Sequence, residues 1–391
     1  MNDVTDETDG YRTRRRFLAA TGAVGAVGLA GCTAEQTDDE ETQTEAPDDG
    51  DEDDGNGADE EADDEETPTL TVATYSTFID GESAPGPWLK EAFEETHDAE
   101  IEFAAPDNGV IHYVEEANAG VDIDADLFVG LYADDLARIA GETDDPLFEA
   151  DGLADVAGAE DVREGLHFDP QNRVVPTATN YISLVYDGTA TDAPETFEGL
   201  LDEEHAGDLI TQNPGDSTTG RAFLLHTIDT FGDDGDYDYL DYWADLQDND
   251  VRVLGSWDDA YAAWGDGEAP MVVSYSTDQV FADMSDANLE EHQIRFLNDQ
   301  AYANPEGAAL FAGADEPALA REFVEFLLTP EAQGRIAELN VQFPATENAD
   351  LPDDYAELAH EPEEPVTFSA EELEENLDDW IEAWERQFAG N

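Results

Sequence analysis

From Pro68 onward the chain alternates between short apolar runs and longer segments whose apolar residues lie three or four positions apart. Short runs rich in Val, Ile, Leu and aromatic residues predict strands. Six such runs occur, at residues 70–75, 101–105, 126–131, 183–187, 209–213 and 271–276. Helices are predicted to begin at Pro87 and at Thr329-Pro330, because proline suits the first turn of a helix. This alternation of strands and helices predicts an α/β fold.

The clearest helix is predicted at the carboxyl end. Ser369 and Glu372 have the spacing of a capping box, in which each side chain accepts a hydrogen bond from the other residue's backbone N–H. Large apolar residues then recur at helical spacing, which predicts one buried helical face. These residues are Leu373, Leu377, Trp380, Trp384 and Phe388.

The first 31 residues have the order of an export signal. Residues 13–18 (TRRRFL) match a twin-arginine signal, and the apolar stretch at 17–30 is shorter than the ~20 residues that a membrane-spanning helix needs. Residues 29–32 (LAGC) resemble a lipobox, in which the chain is cut before a cysteine that then carries lipid. We therefore interpret residues 1–31 as a twin-arginine lipoprotein signal and Cys32 as the lipid attachment site. A plain signal peptide with an incidental cysteine is the alternative.

Residues 32–67 are predicted to be a lipid-anchored, disordered tether. Residues 33–67 are nearly all Asp, Glu, Gly, Thr and Ala, with no aromatic or branched aliphatic residue, so they cannot bury a core and they repel one another. Because Cys32 is the only cysteine, the domain beyond the tether has no disulfide and no thiolate metal site. Roughly 320 residues follow the tether, which exceeds the ~250–300 at which one core stops growing, so two lobes are expected.

The charge of the chain constrains its environment. There are 100 Asp+Glu against 14 Lys+Arg, for a formal net charge of −86. Molar salt, where the Debye length is ~3 Å, would screen this self-repulsion, so the composition is typical of extreme halophiles. The sequence has no basic patch that could neutralise phosphates, which argues against nucleic-acid binding.

Three positions stand out as candidate ligand contacts. Tyr75 is predicted to end the first strand, where a doubly wound sheet presents residues to a crevice, although a core tyrosine is equally consistent with that position. Ser217 lies between a strand and an apolar helix, where it could help to bind an anion or could simply cap the helix. Trp257 follows Gly255-Ser256 at a predicted helix start, where a large ring is less easily explained as core.

Sequence motifs of catalysis are absent. The seven histidines show no HExxH or His-x-His spacing, Ser217 is not in a GxSxG elbow, and no GxGxxG follows a strand. We therefore expect a non-enzyme without catalytic residues, metal or cofactor. A secreted enzyme is the most remote alternative.

Nine segments together resemble a known family. In chain order they are TYSTF (74–78), APGPWLKEAFE (84–94), NGV (108–110), ADLFVGL (125–131), NYISLVYD (180–187), QNPGDSTTG (212–220), GSWDDAY (255–261), VVSYST (272–277) and FPAT (343–346). Their order and spacing resemble the thiamine-binding proteins of ABC importers, a branch of the type II periplasmic binding proteins. The resemblance covers residues 70–388.

The resemblance implies a two-lobed α/β fold with a ligand cleft and two crossings between the lobes, near residues 176–182 and 296–307. The implied boundaries are 68–177 plus 299–345 for lobe one, 178–298 for lobe two, and 346–391 for a carboxyl-terminal helical segment that packs on the lobes. Hinge closure over the ligand is the implied motion.

The resemblance also implies a site that binds a thiazolium cation and a flat aminopyrimidine. The implied ligand contacts are Tyr75, Asn108, Ser217, Trp257, Tyr275 and Phe281. Ser217 would suit a phosphate on thiamine monophosphate. The sequence departs from the family pattern at Asn108 (aspartate in the family), Phe281 (tyrosine) and Val341 (tryptophan), and Asp278 is the nearest substitute acid.

The implied function is that of an exported substrate-binding protein, a monomer anchored on the outer face of the cytoplasmic membrane, that delivers thiamine or a thiamine phosphate to an ABC permease. Iron(III) and polyamines are the alternative ligands within the same superfamily. An iron site there typically uses neighbouring tyrosines, and the sequence has no Tyr-Tyr pair.

Overall fold

The computed structural model describes residues 67–81, 83–352 and 355–389. The predicted signal, Cys32 and nearly all of the predicted tether lie outside the described residues. Within the described ranges, no helix has the length and apolar character needed to cross a membrane.

The described residues form a mixed sheet flanked by helices. Its strands are β1 (Thr69–Ala73), β2 (Glu100–Ala104), β3 (Leu127–Tyr132), β4 (Val174–Tyr186), β5 (Leu209–Gln212), β6 (Arg252–Leu254), β7 (Met271–Tyr275), β8 (Gln293–Arg295), β9 (Gln300–Leu310), β10 (Phe343–Pro344) and β11 (Glu364–Val366). The helices are α1 (Ser76–Ile79), α2 (Pro85–Glu94), α3 (Ile111–Ala119), α4 (Ala133–Ile139), α5 (Thr218–Phe231), α6 (Tyr239–Asp248), α7 (Trp257–Gly265), α8 (Asp278–Met284), α9 (Pro317–Leu327), α10 (Pro330–Asn340), α11 (Tyr355–Leu358) and α12 (Ala370–Ala389).

The strand order is β2-β1-β3-β9-β4-β7-β5-β6, with β8 and β10 paired to β4 and β11 paired to β9. β1 is parallel to β2 and β3, and β5 is parallel to β6 and β7. Two parallel groups therefore stand on either side of the antiparallel pair β4 and β9. We call the elements around β1–β3 the first lobe and those around β5–β7 the second lobe.

The long strands β4 and β9 connect the two lobes. They pair with each other from Val174 to Ile182, and the last residues of β4 pair with β7 in the second lobe, while the end of β9 pairs with β3 in the first lobe. At Gly307 an added Cβ would lie 2.4 Å from the carbonyl oxygen of Val175. Only glycine therefore permits the observed approach of the two strands at that position.

Several predicted elements are confirmed. Strands cover most of each of five predicted runs, and the sixth run, 183–187, is the end of the much longer β4. The predicted capping box of α12 is present, since Glu372 N donates to Ser369 Oγ at 3.3 Å and Ser369 N donates to Glu372 Oε2 at 2.9 Å. The prediction for α2 was wrong by two residues. That helix begins at Pro85, which fits the first turn as well as Pro87 does.

Helix α12 contacts helices of both lobes. Four of its predicted apolar residues are buried, and Phe388 is partly buried. The ring of Trp384 lies 5.4 Å from that of Trp243 on α6, and α12 also packs against α4 of the first lobe. Strand β11 precedes α12 in the 346–391 segment, for which the sequence predicted only helix.

Candidate functional site

A cleft of about 450 Å³ lies where the carboxyl ends of β1 and β3 face the start of α5. Its first-lobe wall contains Tyr75, Asn108, Tyr132 and the loop at residues 105–111. Thr218 and Arg221 of α5 line it from the second lobe. The carboxyl ends of strands in open α/β sheets are the usual position of ligand sites.

Tyr75 is held in this cleft by its packing against β3. It lies two residues beyond the end of β1, as the residue before α1, and not at the end of the strand as predicted. Its ring rests on Gly130, where an added Cβ would lie 2.3 Å from the Tyr75 Cε1 atom. Gly130 has φ +91° and lies at an irregularity in the pairing of β3 with β9. The ring position therefore depends on a glycine in the left-handed region.

The buried carboxylate of Glu306 lies behind the cleft-lining tyrosines. Glu306 is 1% exposed, and its neighbours on β9 pair with both β3 and β4. Tyr132 Oη donates to Glu306 Oε2 at 2.5 Å, and Tyr75 Oη lies 3.1 Å from Glu306 Oε1. Burial raises the pKa of the Glu306 carboxyl, and hydrogen bonds from Tyr132, Gln342 and Tyr75 partly oppose that rise.

The turn after α10 completes the hydrogen bonding of Tyr75. Asn340 Nδ2 donates to Tyr75 Oη at 2.7 Å and to Gln342 Oε1 at 2.8 Å. Val341, between these two residues, has φ +53°, an uncommon and strained conformation for a β-branched side chain. The Val341 side chain packs against the apolar cluster of Val280, Ala337 and Tyr355. The turn at Val341 thus places Asn340 against the Tyr75 hydroxyl, with Gln342 bonded to Asn340.

The second lobe supplies a group of aromatic rings. The Trp257 ring stacks on Tyr261 at 4.8 Å and lies 6.1 Å from Tyr275, with Trp257 Nε1 donating to Ser274 Oγ at 2.9 Å. Trp257 begins α7 and Tyr275 ends β7, as predicted. Burial, followed by the charge of Glu306, raises the pKa of Tyr275 above its usual range.

The other predicted contacts are placed less centrally. Ser217 is buried and caps α5, with its Oγ 3.5 Å from Gly220 N and 2.8 Å from Thr219 Oγ1. Asn108 is exposed on the cleft wall, and Phe281 is 46% exposed, with its ring 6.2 Å from that of Tyr261. The structure therefore brings Tyr75 and Asn108 onto one wall and Trp257 and Tyr275 into one ring group. Their roles as ligand contacts stay predictions.

Asp278 already has two partners. Tyr261 Oη donates to its Oδ1 at 2.5 Å, and His292 Nδ1 lies 2.7 Å from its Oδ2. Because Asp278 is 5% exposed and fully engaged on α8, Glu306 is better placed than Asp278 to act as the acid of the cleft.

Two charged residues of α4 meet Arg221 of α5 at one side of the cleft. Arg221 Nε donates to Asp134 Oδ2 at 2.7 Å, which joins the first lobe to the second. Asp135 accepts from Tyr132 N at 3.1 Å, and burial, followed by the Asp134 carboxylate, raises the pKa of Asp135 to about 7. Within the described ranges, no group of three or more His, Cys, Asp or Glu side chains is arranged to hold a metal ion.

Sequence reasoning missed Glu306, Tyr132 and Arg221. Glu306 is one of 100 acidic residues, and the only local signal is its position inside an otherwise apolar and neutral segment, QAYANPEGAALF. Tyr132 directly follows the predicted strand at 126–131, which could have suggested a residue at the sheet edge.

Comparisons with known proteins agree with this architecture. A sequence profile of the bacterial extracellular solute-binding proteins matches residues 88–363. The thiamine-binding periplasmic protein of Escherichia coli is 29% identical over 320 residues, which cover 82% of this chain and 93% of that protein. The corresponding protein of Brucella suis is also 29% identical, covering 81% and 91%.

Solved structures show the same fold. A periplasmic thiamin-binding protein superimposes with a TM-score of 0.68 at 27% identity, covering 82% of this chain and 96% of that protein. The ferric iron-binding protein A of Mannheimia haemolytica superimposes with a TM-score of 0.65 at 15% identity, covering 82% and 98%. The two-lobed periplasmic-binding-protein fold predicted from the sequence is thereby confirmed.

Proposed function

Because this chain belongs to the bacterial extracellular solute-binding protein family, we propose that it captures thiamine or a thiamine phosphate in the cleft and delivers it to an ABC permease. The observation that carries this proposal is the pair of cleft-lining tyrosines, Tyr75 and Tyr132, whose hydroxyls bond the buried Glu306 where the lobes meet. The thiamine-binding relatives at 29% identity support the same ligand.

The chemistry of the cleft suits a flat cation. The second-lobe ring group of Trp257 and Tyr275 would offer aromatic faces to a cation held between the lobes, where a cation over such a ring gains ~0.5–2 kcal/mol. On the first-lobe wall, Asn108 offers an amide group to the aminopyrimidine, and Tyr75 offers its ring. Thr218, at the start of α5, offers a hydroxyl and a helix terminus to a phosphate.

The rings can be tested by calorimetry at molar salt with thiamine, thiamine monophosphate and thiamine diphosphate. We expect Trp257→Ala and Tyr275→Ala each to weaken binding by roughly ten- to thirtyfold, because each removes a ring from the cation. Tyr237→Ala is the matched control, since Tyr237 is an exposed second-lobe tyrosine that bonds Asp245 and not the cleft residues.

Three other outcomes would contradict the proposed function. Unchanged affinity in both ring variants would refute the ligand assignment to this cleft. Binding of ferric iron or a polyamine in place of every thiamine compound would show that the branch of the family is wrong. Release of free thiamine or phosphate from thiamine monophosphate would indicate an enzyme.

We also propose that the protein is a monomeric lipoprotein exported by the twin-arginine route and held on the outer face of the cytoplasmic membrane. The sequence of residues 13–32 supports this proposal. The intact mass of protein taken from cells should correspond to a chain that begins at a lipidated Cys32, and a mature chain that begins elsewhere would refute lipidation.

A further inference from the structure

Glu306 is a buried acid whose known partners are all neutral. Its carboxylate accepts hydrogen bonds from Tyr75 and Tyr132, and none of the ion pairs among the described residues includes it. A buried carboxylate without a counter-charge is unfavourable in its ionised form, and burial accordingly raises the pKa of Glu306. Burial therefore shifts this carboxyl toward its protonated form.

The two tyrosines connect this carboxyl to the cleft. Both Tyr75 and Tyr132 line the cleft with their rings while their hydroxyls reach back to Glu306. A positive group bound against these rings would lie close to the carboxylate, with little water between them. Such a group would supply the counter-charge that the protein does not provide.

We propose that Glu306 is the counter-charge for a cationic group in the cleft, and that capture of the cation releases the proton that Glu306 carries when the cleft is empty. The Glu306 O–H bond breaks, its electron pair stays on the carboxylate, and the proton passes to the buffer. Glu306 acts through the tyrosines and is thus a positioning residue. The inference rests on the proposed function only in that the captured solute is a cation.

The other titratable groups near Glu306 behave differently. Burial, followed by the charge of Glu306, raises the pKa values of Tyr75, Tyr132 and Tyr275, so these hydroxyls stay neutral at physiological pH. The turn after α10 offers only the neutral Asn340 and Gln342. Across β4, the Thr177 hydroxyl contacts the backbone oxygen of residue 306.

Two acids lie beyond these tyrosines. The charge of Asp258 contributes to the raised pKa of Tyr275, and Asp135 accepts a hydrogen bond from Tyr132 N. Arg138 and Arg221 lie beside Asp135. Because its pKa is raised to about 7, Asp135 is the competing source of any pH dependence in the cleft.

The decisive experiment is calorimetry of thiamine binding at molar salt, across pH and in buffers with different ionisation enthalpies. Below the raised pKa of Glu306 we expect release of up to one proton per thiamine bound. Affinity should fall by up to tenfold per pH unit in that range, because the cation must displace the proton, and should level off above it. The uncharged compound 4-amino-5-hydroxymethyl-2-methylpyrimidine should release no proton from Glu306.

Three variants separate this role from a structural one. Glu306→Gln should abolish both the proton release and the pH slope, and should weaken thiamine binding above the pKa. Tyr132→Phe removes a donor to the ionised carboxylate, so the slope should persist but move to higher pH. Asp135→Asn is the matched control and should leave the Glu306-dependent proton release in place.

Several outcomes would contradict the role of Glu306, the proposed function, or both. A pH slope and proton release that persist in Glu306→Gln, or that vanish in Asp135→Asn, would overturn the proposal. If spermidine binds with Glu306-dependent proton release and thiamine does not bind, the proposed function fails and the role of Glu306 stands. If neither cation binds to folded wild-type protein, both proposals fail. Circular dichroism of each variant at molar salt checks that it is folded.

Discussion

Gly130 sets the position of Tyr75, and through it the hydroxyl that reaches Glu306. The ring of Tyr75 fills the space where any other residue at position 130 would have its Cβ. The geometry of the cleft thus depends on the smallest side chain in the chain as much as on its aromatic residues.

We predict that Gly130→Ala will weaken ligand binding as well as stability. The new Cβ must displace the Tyr75 ring, and φ +91° is unfavourable for alanine, so the cost should be about 1–3 kcal/mol. Calorimetry and thermal unfolding at molar salt measure the two effects. Gly120→Ala is the matched control, because Gly120 has φ +67° with no atom within 4 Å of an added Cβ. It should lose stability and retain affinity; equal affinity loss in both variants would contradict the role of Gly130.

At the scale of elements, the sequence was informative where a pattern is local. The edges of β1, β2, β3, β5 and β7 lie within two residues of the predicted runs. β3, β5 and β7 are buried on both faces and appear as continuous apolar runs, whereas β1 and the edge strand β2 alternate between buried and more exposed residues. Strand β9 did not appear as such a run, because Asn304, Pro305, Glu306 and Gly307 interrupt it with residues typical of turns. Its pairing with β3 and β4 makes this segment a strand, and that information lies in distant parts of the chain.

The candidate site likewise contains residues that the sequence could place and residues that it could not. Trp257 and Tyr275 could be placed at the ends of their elements from the sequence, and both lie there. Glu306 could not be chosen among the acids, because its burial depends on tyrosines that lie 231 and 174 positions away in the sequence. The left-handed backbone at Val341 could not be predicted either, because a β-branched residue disfavours it.

Helices α4 and α5 are joined by a largely buried ion pair between the lobes. The side chains of Asp134 and Arg221 are 9% and 11% exposed. We predict that Arg221→Gln will lower the free energy of unfolding by about 3–5 kcal/mol, because it leaves a buried carboxylate without its partner. Denaturant unfolding at molar salt measures the loss.

Two further variants test whether the unpaired buried charge causes this loss of stability. The double variant Asp134→Asn with Arg221→Gln should lose less stability than Arg221→Gln alone, since no unpaired charge remains. Arg386→Gln breaks an exposed pair with Glu382 and should change the free energy of unfolding by less than about 1 kcal/mol. A double variant less stable than the single one would show that the pair acts by packing and not by charge.

At the scale of the whole molecule, net charge dominates. With 100 Asp+Glu and 14 Lys+Arg, most acidic side chains have no basic partner available anywhere in the chain. The ion pairs at Asp134 and Asp169 use arginines that are largely buried, so they reduce the surface repulsion little. Stability must therefore depend on the surrounding salt.

We predict that the protein loses its structure when it is diluted from molar salt into tens of millimolar salt. The Debye length grows from ~3 Å at 1 M to ~10 Å at 0.1 M and ~30 Å at 0.01 M, so repulsion that is screened between surface neighbours at molar salt then acts across the domain. Far-ultraviolet circular dichroism across a sodium chloride series should show a cooperative loss of helical signal. Tetramethylammonium chloride at equal ionic strength should protect about as well if screening is the cause, whereas protection by sodium alone would indicate specific cation binding. A folded spectrum that persists at tens of millimolar salt would contradict the halophilic interpretation of the composition.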